Sequence, residues 1–148
     1  GDGVDRPQIE TLVDELGLRS CTSFRGMRPY AEVLAELPQH DILLQTSITA
    51  KNGDGEGGAP VILLDAQASG MPVVATTHGD IPAYVRDGES GLLAGERDVE
   101  GLAEHIIALA TEPELWAEMG RAGRSHVEQC YDAARQVAEL EAIYDELV

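Results

Sequence analysis

Short apolar runs without polar alternation, separated by stretches of helical period, restrict the fold of this chain more than any other feature. Residues 41–44 and 72–76 are the two clearest runs, and each has the length of one strand. Strands of this composition are buried on both faces, as in parallel sheets that helices cover. Apolar residues at three- and four-residue spacing lie before, between and after them. The alternation therefore predicts an α/β fold built on a doubly wound parallel sheet.

The remaining elements follow from the same patterns. We predict helices over 9–16, 31–37, 59–69 and 81–85, and short strands over 22–24 and 91–93. Four strands are few for a Rossmann-like sheet, so we expect the sheet to be truncated at its N-terminus. From Asp98 onward only helices are predicted, and the last has an apolar stripe of Val137, Leu140, Tyr144 and Leu147. We expect a single domain over 1–148 that ends in a helical tail.

The charge balance and the cysteine spacing argue against several classes of function. The chain has 27 acidic and 10 basic residues, a net charge of −17, and its single lysine is Lys51. Such a surface repels phosphate backbones and anionic lipids, which argues against nucleic-acid and membrane-surface roles. No apolar stretch has the length of a membrane span. Cys21 and Cys130 lie far apart with no metal-ligand spacing, so we expect two buried thiols in a reducing compartment.

A glycine-rich loop before a predicted helix is the clearest candidate site. Gly57 and Gly58 precede the helix start, where the first backbone N–H groups have no partner within the helix. A phosphate could approach these donors closely because glycine has no side chain. Glu56 and Asp65 frame the loop and offer acceptors for sugar hydroxyls. The structural alternative is a solvated loop acid and a residue of the helix's polar face.

Several ordered motifs resemble one enzyme family along the whole chain. They are Gly1-Asp2-Gly3, Phe24-Arg25-Gly26, Glu56-Gly57-Gly58-Ala59-Pro60, residues 64–76, His78-Gly79-Asp80-Ile81-Pro82 and Asp87-Gly88-Glu89-Ser90-Gly91-Leu92-Leu93. Together they resemble the donor-binding, C-terminal domain of family-four retaining glycosyltransferases of the GT-B fold. The resemblance implies a cytoplasmic enzyme domain that binds a UDP- or GDP-hexose for transfer to an acceptor held by a missing N-terminal domain. It leaves open a peripheral membrane contact through that domain.

The resemblance also implies residue roles. Glu56 would contact the hydroxyls of the transferred sugar, and Asp65 the nucleotide ribose. The amides of Val61 and Ile62 would meet the diphosphate. The rest of the donor site would comprise Gly57, Gly58, Ala59 and Pro60 at the loop, with Arg25, Gly26 and Met27 near the base.

Two departures from the family pattern concern the acids. Eight residues separate Glu56 from Asp65, whereas the family usually has two glutamates with seven between them. Either Glu56 or Asp54 therefore fills the first position. The second acid is one methylene shorter, which reduces its reach to a ribose.

The family's diphosphate-binding Arg and Lys would precede Gly1, so we expect the isolated chain to be inactive. A non-catalytic nucleotide-sugar-binding or protein-interaction module on the same fold is the alternative. No Asp-x-Asp motif is present, and we expect a metal-independent reaction without cofactors. We also expect the isolated chain to self-associate through unpaired strand edges.

The four histidines are dispersed. His105 and His126 fall in helical runs and are expected on the surface. His78 follows a strand end, where a ligand role is open.

Overall fold

The computed structural model describes residues 2–55 and 58–147. The chain divides into two compact units, Gly1–Glu36 and Leu37–Val148. Each unit has its own pattern of secondary structure.

The first unit is helical. Helix α1 spans Arg6–Glu15, a 3₁₀ turn spans Arg19–Cys21, and helix α2 spans Tyr30–Glu36. Helix α1 ends as predicted before Gly17, whose φ of 69° lies in the left-handed region that favours glycine. The predicted strand over 22–24 is wrong: Thr22 is extended, but these residues join no described sheet. An extended segment becomes a strand only where a neighbour supplies ladder hydrogen bonds, and no described strand does so here.

The second unit contains a three-stranded parallel sheet among the described residues. Strands β1 (Leu43–Gln45), β2 (Val73–Thr76) and β3 (Gly91–Ala94) lie in that order. Leu43 pairs with Val73, and Val73 in turn with Gly91. All four residues of β2 are buried, so the central strand is covered on both faces, as its composition predicts.

Five helices of the described residues complete the second unit. They are α3 (Ile62–Ala68), α4 (Ile81–Tyr84), α5 (Val99–Thr111), α6 (Glu114–Cys130) and α7 (Ala133–Asp145), with a 3₁₀ turn at Leu37–Gln39 before β1. The α/β class and the C-terminal helical tail are confirmed. Helix α3 begins three residues later than predicted, because Gly58 takes a φ of 88° and the chain enters the helix through tight turns. The N–H of Leu63 donates to the carbonyl of Pro60 at 3.0 Å, an i to i+3 bond.

Successive residues of β2 point into two apolar layers. Val73 and Ala75 pack in one layer with Leu63, whereas Val74 packs in the other with Leu109. The alternation follows from the two-residue period of a strand. Both faces of the central strand β2 are therefore covered. The predicted burial of the first run on both faces is wrong, because Leu44 of the outer strand β1 is 46% exposed. The carboxyl ends of the strands remain as the place where loops build a site.

His126 is buried rather than on the surface. Only 6% of the residue is exposed, and its Nε2 lies 3.1 Å from the carbonyl oxygen of Ala83. His105 is half-buried, with Nε2 3.2 Å from the carbonyl oxygen of Leu93. Helical spacing placed both residues correctly in helices but did not reveal which elements would pack over them. The predicted burial of the two free cysteines is wrong as well, since Cys21 is exposed and Cys130 is half-buried.

Candidate functional site

A cleft of about 390 Å³ lies where β1 and β2 end. Three segments build it: the loop after β1, the turn that enters α3, and the segment after β2. Its described lining residues are Ser47, Ile48, Ala50, Asp54, Gly55, Gly58, Ala59, Pro60 and His78. In open parallel sheets the carboxyl ends of the strands are the usual place for a ligand.

The entrance to α3 presents backbone donors beside this cleft. Gly58 has a positive φ, and a Cβ added there would meet nothing within 4 Å, so the backbone lies open to the cleft. The N–H groups of Val61 and Ile62 make no hydrogen bond to any residue that the structure describes. Val61 is 59% exposed. The geometry is compatible with the predicted contact of these amides with an anion.

The predicted acids are only partly placed. Glu56 and Gly57 lie outside the described residues. Asp65 is half-buried in the first turn of α3 and is not among the described residues that line the cleft. Asp54, the alternative for the first acid, does line the cleft.

A short turn holds Asp54 in that place. Its N–H donates to Oδ1 of Asn52 at 3.1 Å, and its carbonyl accepts from the N–H of Ala50 at 2.7 Å. Which acid contacts the sugar stays a prediction.

A hydrogen-bonded network that the sequence did not predict joins the segments around the cleft. Nδ1 of His78 lies 2.7 Å from Oε1 of Glu96, two residues after β3. The same carboxylate accepts from the N–H of Thr49 at 2.7 Å and from its hydroxyl at 3.1 Å. The hydrogen bonds from His78 and Thr49 lower the pKa of Glu96 from 4.5 to about 2.

Arg97 completes this network. Its φ of 64° is rare for a residue with a side chain, and its guanidinium donates to the carbonyl of Thr49. The loop after β1 is therefore bound to the end of β3. Only His78, a histidine directly after a buried strand, carried a signal in the sequence.

The family follows from a comparison with known sequences. The model of "Glycosyl transferases group 1" matches residues 1–126 of the 148. The chain belongs to the group 1 glycosyltransferase family. The resemblance found in the motifs is thereby confirmed.

Curated relatives extend this result. The chain is 35% identical to the amylovoran biosynthesis glycosyltransferase AmsK of Erwinia amylovora, over 95% of this chain and 35% of the relative. It is 34% identical to the putative colanic acid biosynthesis glycosyltransferase WcaL of Escherichia coli, over 95% and 34% of the two chains. The chain spans about a third of the length of these relatives.

Solved structures show the same fold. Sucrose-phosphate synthase from Thermosynechococcus elongatus superposes with a TM-score of 0.81 at 23% identity, over 99% of this chain and 35% of that one. Anabaena HepE, solved in complex with UDP, gives 0.77 at 22% identity, over 92% and 36%. The C-terminal domain of LpcC from Francisella tularensis gives 0.72 at 22% identity, over 86% and 63%. These likenesses confirm the predicted fold class of this glycosyltransferase-family chain.

The segment predicted to meet the base lies in the first unit. Gly26 has a φ of 67°, and the N–H of the 76% exposed Met27 donates to Oδ2 of Asp2 at 2.9 Å. That hydrogen bond and the guanidinium of Arg6 hold the pKa of the Asp2 carboxyl below its usual range. Arg25 pairs with Glu36 at 2.8 Å. Their contact with a base stays a prediction.

Among residues 2–55 and 58–147, no three side chains of His, Cys, Asp or Glu are grouped as a metal site requires. The expected metal-independent reaction stays a prediction. No helix in the described part of the chain is both long and apolar enough to span a bilayer.

Proposed function

We propose that this chain is the donor-binding, C-terminal domain of a retaining glycosyltransferase and takes UDP- or GDP-hexose. The cleft at the carboxyl ends of β1 and β2, beside the open amides of α3, is the observation that carries this proposal. Family membership supports it, and so does the capture of UDP and of UDP-glucose by the structural neighbour HepE. The acceptor would be held by an N-terminal domain outside this chain. A cytoplasmic location is part of the proposal.

We assign a separate group of residues to each part of the donor: the sugar, the diphosphate, the ribose and the base. Glu56 would hold sugar hydroxyls and Asp65 the ribose. The amides of Val61 and Ile62 would face the diphosphate beside the open backbone of Gly58, with residues 25–27 at the base. Backbone donors at a helix start suit a diphosphate because they carry partial positive charge and need no reorganisation.

The negative charge that develops on the leaving group bears on whether this chain can catalyse transfer alone. A departing nucleoside diphosphate gains negative charge in the transition state and requires fixed positive charge nearby. None of the described residues that line the cleft is a lysine or an arginine. We therefore propose that this chain binds the donor and that turnover needs cations from elsewhere in a longer enzyme.

The same observation favours a second candidate, a non-catalytic module that binds nucleotide sugars or a protein partner. A parent enzyme with an Arg and a Lys at the start of this domain would exclude it. A parent without them would leave binding as the function.

The test uses Glu56→Ala and Asp65→Ala in the full-length parent enzyme. Each variant removes an acceptor for a donor hydroxyl, and hydrogen bonds to charged groups contribute about 1.5–3 kcal/mol, so we expect kcat/KM for the donor to fall roughly tenfold or more. Glu104→Ala is the control, because Glu104 is exposed on α5. Kinetics close to wild type for both acid variants would refute the proposed site.

A further inference from the structure

The side chain of His78 is buried at the edge of the cleft and has one ring nitrogen committed to a partner. The residue is 6% exposed, follows β2 by two positions, and lines the cleft. Nδ1 lies 2.7 Å from Glu96, whereas Nε2 makes no hydrogen bond to a described residue. A Cβ added at Gly55, which also lines the cleft, would lie 3.3 Å from Cε1 and 3.8 Å from Nε2. The free edge of the ring therefore faces the cleft.

Glu96 determines which nitrogen of the His78 ring carries the hydrogen when the ring is neutral. Its carboxylate accepts two hydrogen bonds from Thr49 besides that of His78, and its pKa of about 2 keeps it ionised near neutral pH. An ionised carboxylate only accepts, so Nδ1 carries a hydrogen and donates it. The neutral ring then offers a lone pair at Nε2, whereas the protonated ring offers a second N–H donor there.

Few charged side chains of described residues surround the ring of His78. Among the described residues that line the cleft, only Asp54 and His78 have side chains that carry charge. Asp80 lies two residues beyond His78, at the start of α4, and adds another acid. Arg97 lies 3.7 Å from Glu96 and partly offsets that carboxylate. The imidazole is thus the described lining group that can become positive.

We propose that His78, oriented by Glu96, is an anion-binding residue of this cleft and donates Nε2–H to the diphosphate of the nucleotide sugar. The inference rests on the proposed function and extends it to this chain's own residues. At a pH at which the free imidazole is neutral, binding would transfer one proton from solvent to Nε2, and release of the nucleoside diphosphate would return it. His78 would hold the diphosphate in the ground state and neutralise part of its charge as it departs.

The experiment measures binding of UDP and GDP to this chain by calorimetry at pH 6 and pH 8. Each titration is repeated in two buffers of different ionisation enthalpy, which gives the number of protons taken up. We expect His78→Gln to weaken UDP and GDP binding roughly tenfold at pH 6 and by a smaller factor at pH 8. The variant should also take up fewer protons on binding than wild type does. Proton uptake must be compared between wild type and His78→Gln, because the diphosphate itself takes up protons in the same pH range.

Two further variants distinguish the effect of the His78–Glu96 pair from the general effect of replacing a histidine. Glu96→Gln keeps an acceptor for Nδ1 but removes the charge that favours the imidazolium, so we expect weaker binding at pH 6 with reduced proton uptake. His40→Gln is the matched control, because His40 is exposed and lies before β1, at the opposite end of the strand. Its affinity and proton uptake should equal those of wild type.

A measurement on wild-type protein makes the test independent of folding defects. Long-range ¹H–¹⁵N spectra of the histidine rings report protonation directly, and UDP should convert His78 to the doubly protonated form. A neutral His78 in the complex, or His78→Gln with wild-type affinity and proton uptake, would overturn the inference and leave the proposed function standing. A wild-type chain that binds neither UDP nor GDP would overturn the proposed function and this inference with it.

Discussion

The contact between α6 and α3 should make Gly120 intolerant of any side chain. A Cβ built at Gly120 would overlap the carbonyl oxygen of Gly70 and would lie 2.9 Å from its carbonyl carbon. Gly70 follows α3, so helix α6 passes directly over the C-terminal end of α3, the helix whose first residues lie beside the cleft. The obstacle is backbone and has no rotamer by which to move away. We therefore expect Gly120→Ala to force the two helices apart.

The magnitude follows from two opposing effects. Overpacking of this kind costs about 1–3 kcal/mol, and a backbone obstacle places Gly120→Ala at the upper end. Replacement of glycine by alanine within a helix returns about 1 kcal/mol. The free energy of unfolding should therefore fall by about 2 kcal/mol, which for a chain of this length lowers Tm by roughly 4–8 °C.

Gly123→Ala is the matched control, one turn along the same helix. The three atoms nearest to its added Cβ all belong to the side chain of Gln67, at 3.0–3.3 Å. A side chain yields more easily than a backbone, so an overpacking cost of about 1 kcal/mol nearly cancels the helical gain of about 1 kcal/mol. Urea unfolding followed by circular dichroism measures both variants. Gly120→Ala with stability equal to or above that of Gly123→Ala would refute the reasoning.

Two other predictions concern acid stability and association. Because the pKa of Glu96 is about 2 in the folded chain against 4.5 ordinarily, its ionised form stabilises the fold fully above about pH 4.5 and loses this effect as the pH falls towards 2. The stability difference between wild type and Glu96→Gln should shrink over that range in urea titrations, and a constant difference would contradict the assignment. The outer strands of the described sheet, β1 and β3, lack a second neighbour, so sedimentation velocity should show concentration-dependent association of this chain. A monomer at every concentration would count against it.

Local patterns were sufficient for much of the fold. The apolar runs at 41–44 and 72–76 became β1 and β2. The central strand β2 is covered on both faces, as an uninterrupted apolar run predicts, whereas Leu44 of the outer strand β1 is exposed. The segment over 22–24 has strand composition as well, yet it is not a strand. Pairing depends on a neighbour that composition does not reveal.

The candidate site divides in the same way. Glycines before a helix predicted the opening at Gly58 and the amides that follow it. The pairing of Glu96 with His78 and with Thr49 was not predictable, because these two residues are 18 and 47 positions from it along the chain. Only the parallel order of the strands brings their carboxyl ends together at one edge of the sheet.

The sequence by itself determined the family, through ordered motifs, and the fold class, through the alternation of buried strands and helices. These signals are local, since periodicity and turn chemistry act over a few residues. The tertiary structure alone decided where α6 crosses α3, which histidine faces the cleft and which acid orients it. The reason is physical: close packing and hydrogen bonds between distant segments depend on which elements become neighbours, and that information lies in the whole fold.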